Sequence, residues 1–172
     1  MKQYHLNASQ TAVWQNERAY AGSAINVISI KLHIREFPAA AVKTMADGVL
    51  RSADIFYATL NAQTPQPYFT LSDAPVTLTR LARERTAVEA FAYTENGDKT
   101  PLDKGVLYDA EVIPIREGGA LLYVRFHHML LDGYGMSMFA DRVLGALQGK
   151  PIPRSVFFPA AEEPAFPEDG DF

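Results

Sequence analysis

The block "VLYDAEVIPIREGGALLYVRFHHMLLDGYG", residues 106–135, constrains the fold more than any other stretch of the chain. Two runs rich in β-branched and aromatic residues, 106–115 and 120–128, flank the glycine-containing segment 116–119, which is a hairpin signal. Pro114 has no N–H for a ladder, so an edge strand or a bulge is expected there. The second strand ends on two adjacent histidines, His127 and His128. Asp132 and Gly133 follow in a turn, and 134–149 then carries Met136, Phe139, Val143 and Leu147 at helical spacing. The chain has only four histidines, so two side by side at a strand end call for an explanation.

The rest of the chain supplies the layers around this block. Asn7 and Ser9 are favourable N-caps for a short helix that Gly22 is expected to close. In 25–34, Ile28, Ile30, Leu32 and Ile34 share one face while Ser29, Lys31 and His33 share the other, which is the period of a strand. Pro38, tolerated in a first helical turn, opens a long predicted helix over 39–61. Gly48 weakens that helix by about 1 kcal/mol relative to alanine. Residues 65–73 read as a short strand bracketed by prolines, and 86–98 as a helix ending at Asn96 and Gly97. The order helix, strand, helix, strand, helix, hairpin, helix predicts an α/β or α+β sandwich, a mixed β-sheet covered by helices.

At 172 residues the chain suits about one domain. Pro151, Pro153, Pro159, Pro164 and Pro167, five of its eleven prolines, fall in the last 22 residues beside five acidic side chains. Residues 151–172 are therefore expected to be a linker or extended arm behind a folded unit spanning 1–150. A net charge of −4 argues against nucleic acid as a partner. The nearest basic stretch, "RLARER" at 80–85, is diluted by acidic neighbours and reads as a solvated face. With no cysteine there is no disulfide, thiolate metal site or cysteine nucleophile. The N-terminus lacks a signal-peptide core, and no apolar run approaches the roughly 20 residues that span a bilayer. The expectation is a cytoplasmic protein without a membrane partner.

Adjacent strand residues point to opposite faces, so only one ring of the pair can enter a given cleft while the other supports it. A neutral imidazole accepts a proton from an amine or a hydroxyl. Asp132 either orients the ring or pairs with an arginine and holds the loop, and its spacing across the turn favours the loop. No metal is expected, because the rings diverge and no second His pair or thiolate completes a ligand set. His5 and His33 read as surface or structural residues. A single histidine on an apolar strand is usually structural, and spacing alone leaves this pair evenly divided between catalysis and structure.

"HHMLLDGYG" resembles the HHxxxDG signature of the condensation domains of nonribosomal peptide synthetases, whose signature and fold are shared with chloramphenicol acetyltransferases and other CoA-dependent acyltransferases. "NASQTAVWQNE" resembles the opening helix of the condensation domains, with Gln10 and Trp14 in register. Residues 100–147 resemble their succession of proline-containing segment, hairpin, histidine motif and helix. In "VLRSADIFYATL", Arg51 matches the first arginine of a characteristic helix, while Ser52 and Phe56 replace its histidine and second arginine. The resemblance covers 5–150 and implies a chloramphenicol acetyltransferase-like single lobe, the N-terminal one of the two in a condensation domain.

The resemblance also implies roles. His128 faces the substrate tunnel as proton acceptor or as positioner of the amine, and His127 supports it. Gly133 lets substrate approach and offers its N–H to an oxyanion. Arg51 pairs with Asp132 to support the site; breaking such a pair costs about 3–5 kcal/mol where it is buried. The implied partners are donor and acceptor carrier proteins, whose phosphopantetheine arms carry the substrates, and the second lobe. No cofactor is bound directly. A lone lobe is expected to catalyse little or no condensation. Two other readings stand beside this one: a non-catalytic lobe that docks a carrier protein or tailoring enzyme, and an oligomeric CoA-dependent acyltransferase. Epimerisation domains share the motif.

Overall fold

Every residue of the strand Ala120–His127 is buried, and the rest of the fold is arranged around it. The computed structural model describes residues 2–21, 23–95 and 105–158. Along the chain lie β1 (Gln3–His5), α1 (Ala8–Ala19), β2 (Val27–Ile34), α2 (Ala39–Ser52), a 3-10 turn (Asp54–Tyr57), β3 (Ala58–Asn61) and β4 (Tyr68–Leu71). They are followed by β5 (Arg80–Leu81), α3 (Ala87–Glu95), β6 (Tyr108–Pro114), β7 (Ala120–His127) and α4 (Gly133–Leu147). One sheet has the order β2-β7-β6-β5 and a smaller one the order β1-β4-β3. The larger sheet is mixed, since β2 and β6 run antiparallel to β7 while β5 runs parallel to β6.

Strand alternation sorts β7 between two layers. Leu122, Val124 and Phe126 enter the main core with Val42 and Val49 of α2 and Phe139 and Val143 of α4. Leu121 points the other way and joins Ile113, Ile115 and Ala90 beneath α3. Helices therefore cover both faces of a mixed sheet, the sandwich expected from the element order. The alternation read in β2 is also present: Ile28, Ile30, Leu32 and Ile34 all pack on the main core. The β6–β7 turn needs its glycines, with φ of +115° at Gly118 and +79° at Gly119. A Cβ on Gly119 would stand 2.2 Å from the Ile34 carbonyl oxygen, so only glycine fits there.

At the centre of the core, the rings of Phe56, Tyr108, Phe126 and Phe139 meet mostly edge-on or tilted, with centroids 5.3–6.5 Å apart. The Tyr108 hydroxyl lies 3.0 Å from the Phe56 carbonyl oxygen and 2.8 Å from that of Thr77, and accepts the Thr77 N–H at 3.2 Å. Burial pushes its phenol far above the ordinary tyrosine range, so it stays protonated and keeps donating.

Several expectations need correction. The helix predicted over 39–61 ends at Ser52. Ala53 is extended, with φ −134° and ψ 125°, and the chain turns through 54–57 into β3. Ile55 and Phe56 satisfy an apolar pattern equally well from a buried turn, which is why periodicity misreads them. Pro114 lies neither on an edge strand nor at a bulge. It is the last residue of β6, an interior strand, and its carbonyl still accepts the Arg85 N–H at 3.0 Å. Within 80–85, Arg80, Leu81, Arg83 and Glu84 are exposed, the solvated face expected there, and Arg80 and Leu81 also form the short strand β5, with Arg80 pairing with Asp109 at 2.9 Å. Sequence patterning predicts none of the short strands β1, β3 and β5.

Asn7 caps α1 in a reciprocal box with Gln10, as its residue type suggested; Ser9 lies within the first turn. Gly22, Asn96 and Gly97 lie outside the described residues, as do 159–172. Within the expected arm, 151–158 packs back on the lobe. Ser155 bridges Ala53, and the Ile152 δ-methyl occupies the space that a Cβ on Gly48 would need, 2.8 Å away.

Replacing Tyr108 with phenylalanine leaves the Thr77 N–H and carbonyl without their shared hydroxyl, while the Phe56 carbonyl keeps the Val76 N–H at 2.9 Å. Urea denaturation of Tyr108→Phe is expected to show a loss of about 1–3 kcal/mol, the cost of buried unsatisfied groups; an unchanged midpoint would contradict the role given to the hydroxyl.

Candidate active site

The two histidines separate at the end of β7. His127 is its last residue and is fully buried. His128 lies beyond the strand, on a turn closed by the Leu130 N–H donating to the His127 carbonyl at 2.8 Å. Its side chain is exposed. The division into one inward and one outward ring thus arises from strand alternation together with a turn that starts immediately after it.

His127 is held at both ring nitrogens. Nδ1 accepts the Met129 N–H at 3.2 Å, and Nε2 lies 3.3 Å from a Glu17 carboxylate oxygen of α1. Burial lowers the pKa of the ring, and the Glu17 carboxylate opposes that shift without overcoming it. The Asn26 side chain donates to the same carboxylate oxygen at 2.9 Å, and the Asn26 carbonyl accepts the His128 N–H at 2.7 Å. Gln10, one of the residues aligned with the opening helix, donates from its side chain to the Met129 carbonyl at 3.1 Å. Helix α1 is thereby tied to the turn at two points.

His128 forms part of the wall of a cleft of about 540 Å³. Most of that wall is apolar and includes Val13, Ile55, Phe56, Leu130, Met138 and Phe139. Phe157, from the segment that packs back on the lobe, closes one side, where its N–H donates to Asp54 at 2.7 Å. Arg142 also reaches the cleft and is held by the Ser155 hydroxyl at 2.8 Å.

The expected Arg51–Asp132 ion pair is not formed. Arg51 is exposed at the end of α2, and Asp132 is the N-cap of α4, accepting the Gly135 N–H at 2.8 Å. Beginning a helix directly after Asp132 supplies that carboxylate with a backbone donor in place of the arginine. Phe56, at the position of the missing second arginine, belongs to the aromatic core and the cleft wall instead. The cap leaves the N–H groups of Gly133 and Tyr134, the first two of α4, without an acceptor among the described residues. A Cβ on Gly133 would meet nothing within 4 Å, whereas one on Gly135 would press on Leu131 at 2.9 Å. Packing explains the second glycine and not the first.

Sequence reasoning missed Glu17 and Asn26. The available signal was spacing: Gln10, Val13, Trp14 and Glu17 share one face of α1, and a carboxylate on such a face needs a buried donor. Of the remaining histidines, His5 is exposed in β1 and His33 rests edge-on against Phe91. Among the described residues no helix is long and apolar enough to cross a membrane.

No family model and no curated protein sequence matches the chain. Solved structures do. The starter condensation domain of rhizomide synthetase RzmA superposes with a TM-score of 0.74 at 20% identity, over 90% of this chain and 40% of that one. The fold is that of a condensation-domain lobe. The first condensation domain of the calcium-dependent antibiotic synthetase, in complex with a substrate analogue, gives a TM-score of 0.73 at 19% identity, with 90% and 40% covered. A variant of the rhizomide synthetase domain in complex with C8-CoA gives 0.73 at 20% identity, with 88% and 37% covered. The chain thus spans about 40% of the length of the condensation domains it matches.

Two measurements test this geometry. Asp132→Ala is expected to lower stability by about 1 kcal/mol, the usual worth of an N-cap, and Arg51→Ala to change it by less than about 0.5 kcal/mol. Losses of about 3–5 kcal/mol in both variants would restore the ion pair. An NMR titration is expected to place the His127 midpoint below 6.5. The unfolded chain takes up that proton near 6.5 and the folded ring resists it, so this group's contribution is full above 6.5 and drains as pH falls toward the folded midpoint. A midpoint above 6.5 would contradict the buried, neutral ring.

Proposed function

We propose that this chain is the N-terminal lobe of a nonribosomal peptide synthetase condensation domain and supplies His128 to amide-bond formation. The observation that carries the reading is the exposed His128 on the wall of an apolar cleft that also takes in Asp132 and Tyr134 at the start of α4. Donor and acceptor carrier proteins present an acyl or peptidyl thioester and an amine on phosphopantetheine arms, and the second lobe closes the tunnel over the cleft. The acyl part of the donor suits the apolar wall. The amine nitrogen attacks the thioester carbonyl, the C–N bond forms, and His128 holds the amine and takes its proton. The C–S bond then breaks, and the proton passes to the departing pantetheine thiolate. The N–H groups of Gly133 and Tyr134 face the carbonyl oxygen as charge develops on it, and one such donor is worth about 10²–10³ in rate. Alignment of the two tethered reactants supplies much of the remainder.

The absence of an Arg51–Asp132 pair favours a second reading, a non-catalytic lobe that docks a carrier protein. His128→Ala in the two-lobed protein separates the two: loss of condensation product supports catalysis, and unchanged product supports docking. The 172-residue chain by itself is expected to make little or no product from two loaded carrier proteins; robust synthesis by the monomeric chain would overturn the two-lobe reading. Gly133→Ala gives a further test, since the lobe has room for the methyl. Its melting temperature is expected to hold while condensation falls at least tenfold or so, within what one misplaced oxyanion donor costs. Unchanged turnover would remove Gly133 from the site.

A further inference from the structure

We propose that Glu17 is the positioning residue of the histidine pair: it holds His127 as the Nε2–H tautomer and, through Asn26, fixes the backbone on which His128 stands. The inference rests on the reading of His128 as the working group, but its geometry is independent of that reading. The Met129 N–H lies 3.2 Å from Nδ1 and can only donate, so Nδ1 must carry a lone pair. In a neutral ring the proton is then on Nε2, which faces a Glu17 oxygen that can only accept, 3.3 Å away. The two contacts select the same tautomer from opposite ends of the ring. The other tautomer would set two donors against each other at Nδ1 and a lone pair against a carboxylate at Nε2.

The same Glu17 oxygen accepts from the Asn26 side chain at 2.9 Å, and Asn16 donates to the Asn26 side-chain oxygen at 3.1 Å, which fixes how that amide is turned. The Asn26 backbone carbonyl then takes the His128 N–H at 2.7 Å. Two consecutive amides of the turn, those of His128 and Met129, therefore end on one network centred on Glu17. The His128 ring is attached to a peptide held from both sides, the support that a group working at hydrogen-bond range needs.

The test begins with the unaltered 172-residue chain. Long-range nitrogen–proton NMR is expected to show His127 protonated at Nε2 and bare at Nδ1; a proton on Nδ1 overturns the proposal outright. In Glu17→Ala, the His128 and Met129 amides are expected to exchange about tenfold faster or more relative to Val124 in the middle of β7, the change expected when one charge-assisted hydrogen bond is lost. Glu17→Gln keeps an acceptor oxygen in place and is expected to restore both tautomer and protection. Equal damage in the glutamine and alanine variants, or a folded alanine variant with unchanged tautomer and exchange, overturns the proposal. If Glu17→Ala does not fold, the wild-type tautomer and the glutamine variant decide. In the two-lobed protein, Glu17→Ala is expected to lower kcat about tenfold or more with KM little changed, and Glu17→Gln to recover most of it; a rise in KM alone contradicts positioning. A two-lobed protein that condenses nothing counts against the proposed function, while the NMR and exchange measurements still decide the role of Glu17.

Discussion

The buried ring of His127 is the interaction on which the rest of the site depends. It terminates the central strand, accepts an amide from the turn that follows, and meets a carboxylate delivered by a helix 110 residues earlier in the chain. A fully buried polar ring must find partners at both nitrogens or cost the fold several kcal/mol. Satisfying that requirement fixes where the strand stops and where His128 begins. The residue beside it is left with no place in the core, and its ring turns outward into the cleft.

The layers beneath make that end of the strand rigid. Phe126, one residue before His127, packs into the aromatic cluster with Phe56, Tyr108 and Phe139. Phe56 and Phe139 belong at once to this core and to the cleft wall, so the floor of the cleft is the surface of the core. From the other side Asp132 caps α4, and Asp132, Tyr134 and Gly135 at the start of that helix line the same cleft. Strand, turn and helix cap each satisfy a local requirement, and together they bring His128, the start of α4 and an apolar surface to one cleft. The chain spans about 40% of the length of the condensation domain whose fold it shares.

The parts legible in the sequence were those governed by local patterns. The alternation of β2, the hairpin over Gly118 and Gly119, the Asn7 cap and the apolar stripe of α4 could all be read directly, because period and turn chemistry are short-range properties. The end of α2 could not. Ile55 and Phe56 continue an apolar pattern whether the backbone is helical or turned, and only the burial of the 3-10 turn decides between them. Strands of two or three residues, such as β1 and β5, carry too few positions to show a period. The Arg51–Asp132 pair, taken from family resemblance, failed because Asp132 found a backbone partner three residues away. Glu17 is hard to read for the opposite reason: spacing within α1 places it on the inward face, but its partner lies 110 residues along the chain.

The central claim is that one histidine of the adjacent pair is sealed in the fold and the other stands in the open cleft. Carbethoxylation of the folded chain, followed site by site by mass spectrometry, tests it most directly, because the reagent modifies accessible neutral imidazoles. The account predicts rapid modification of His128, with His127 protected until the chain unfolds. Modification of His127 at a rate equal to or faster than that of His128 would contradict it.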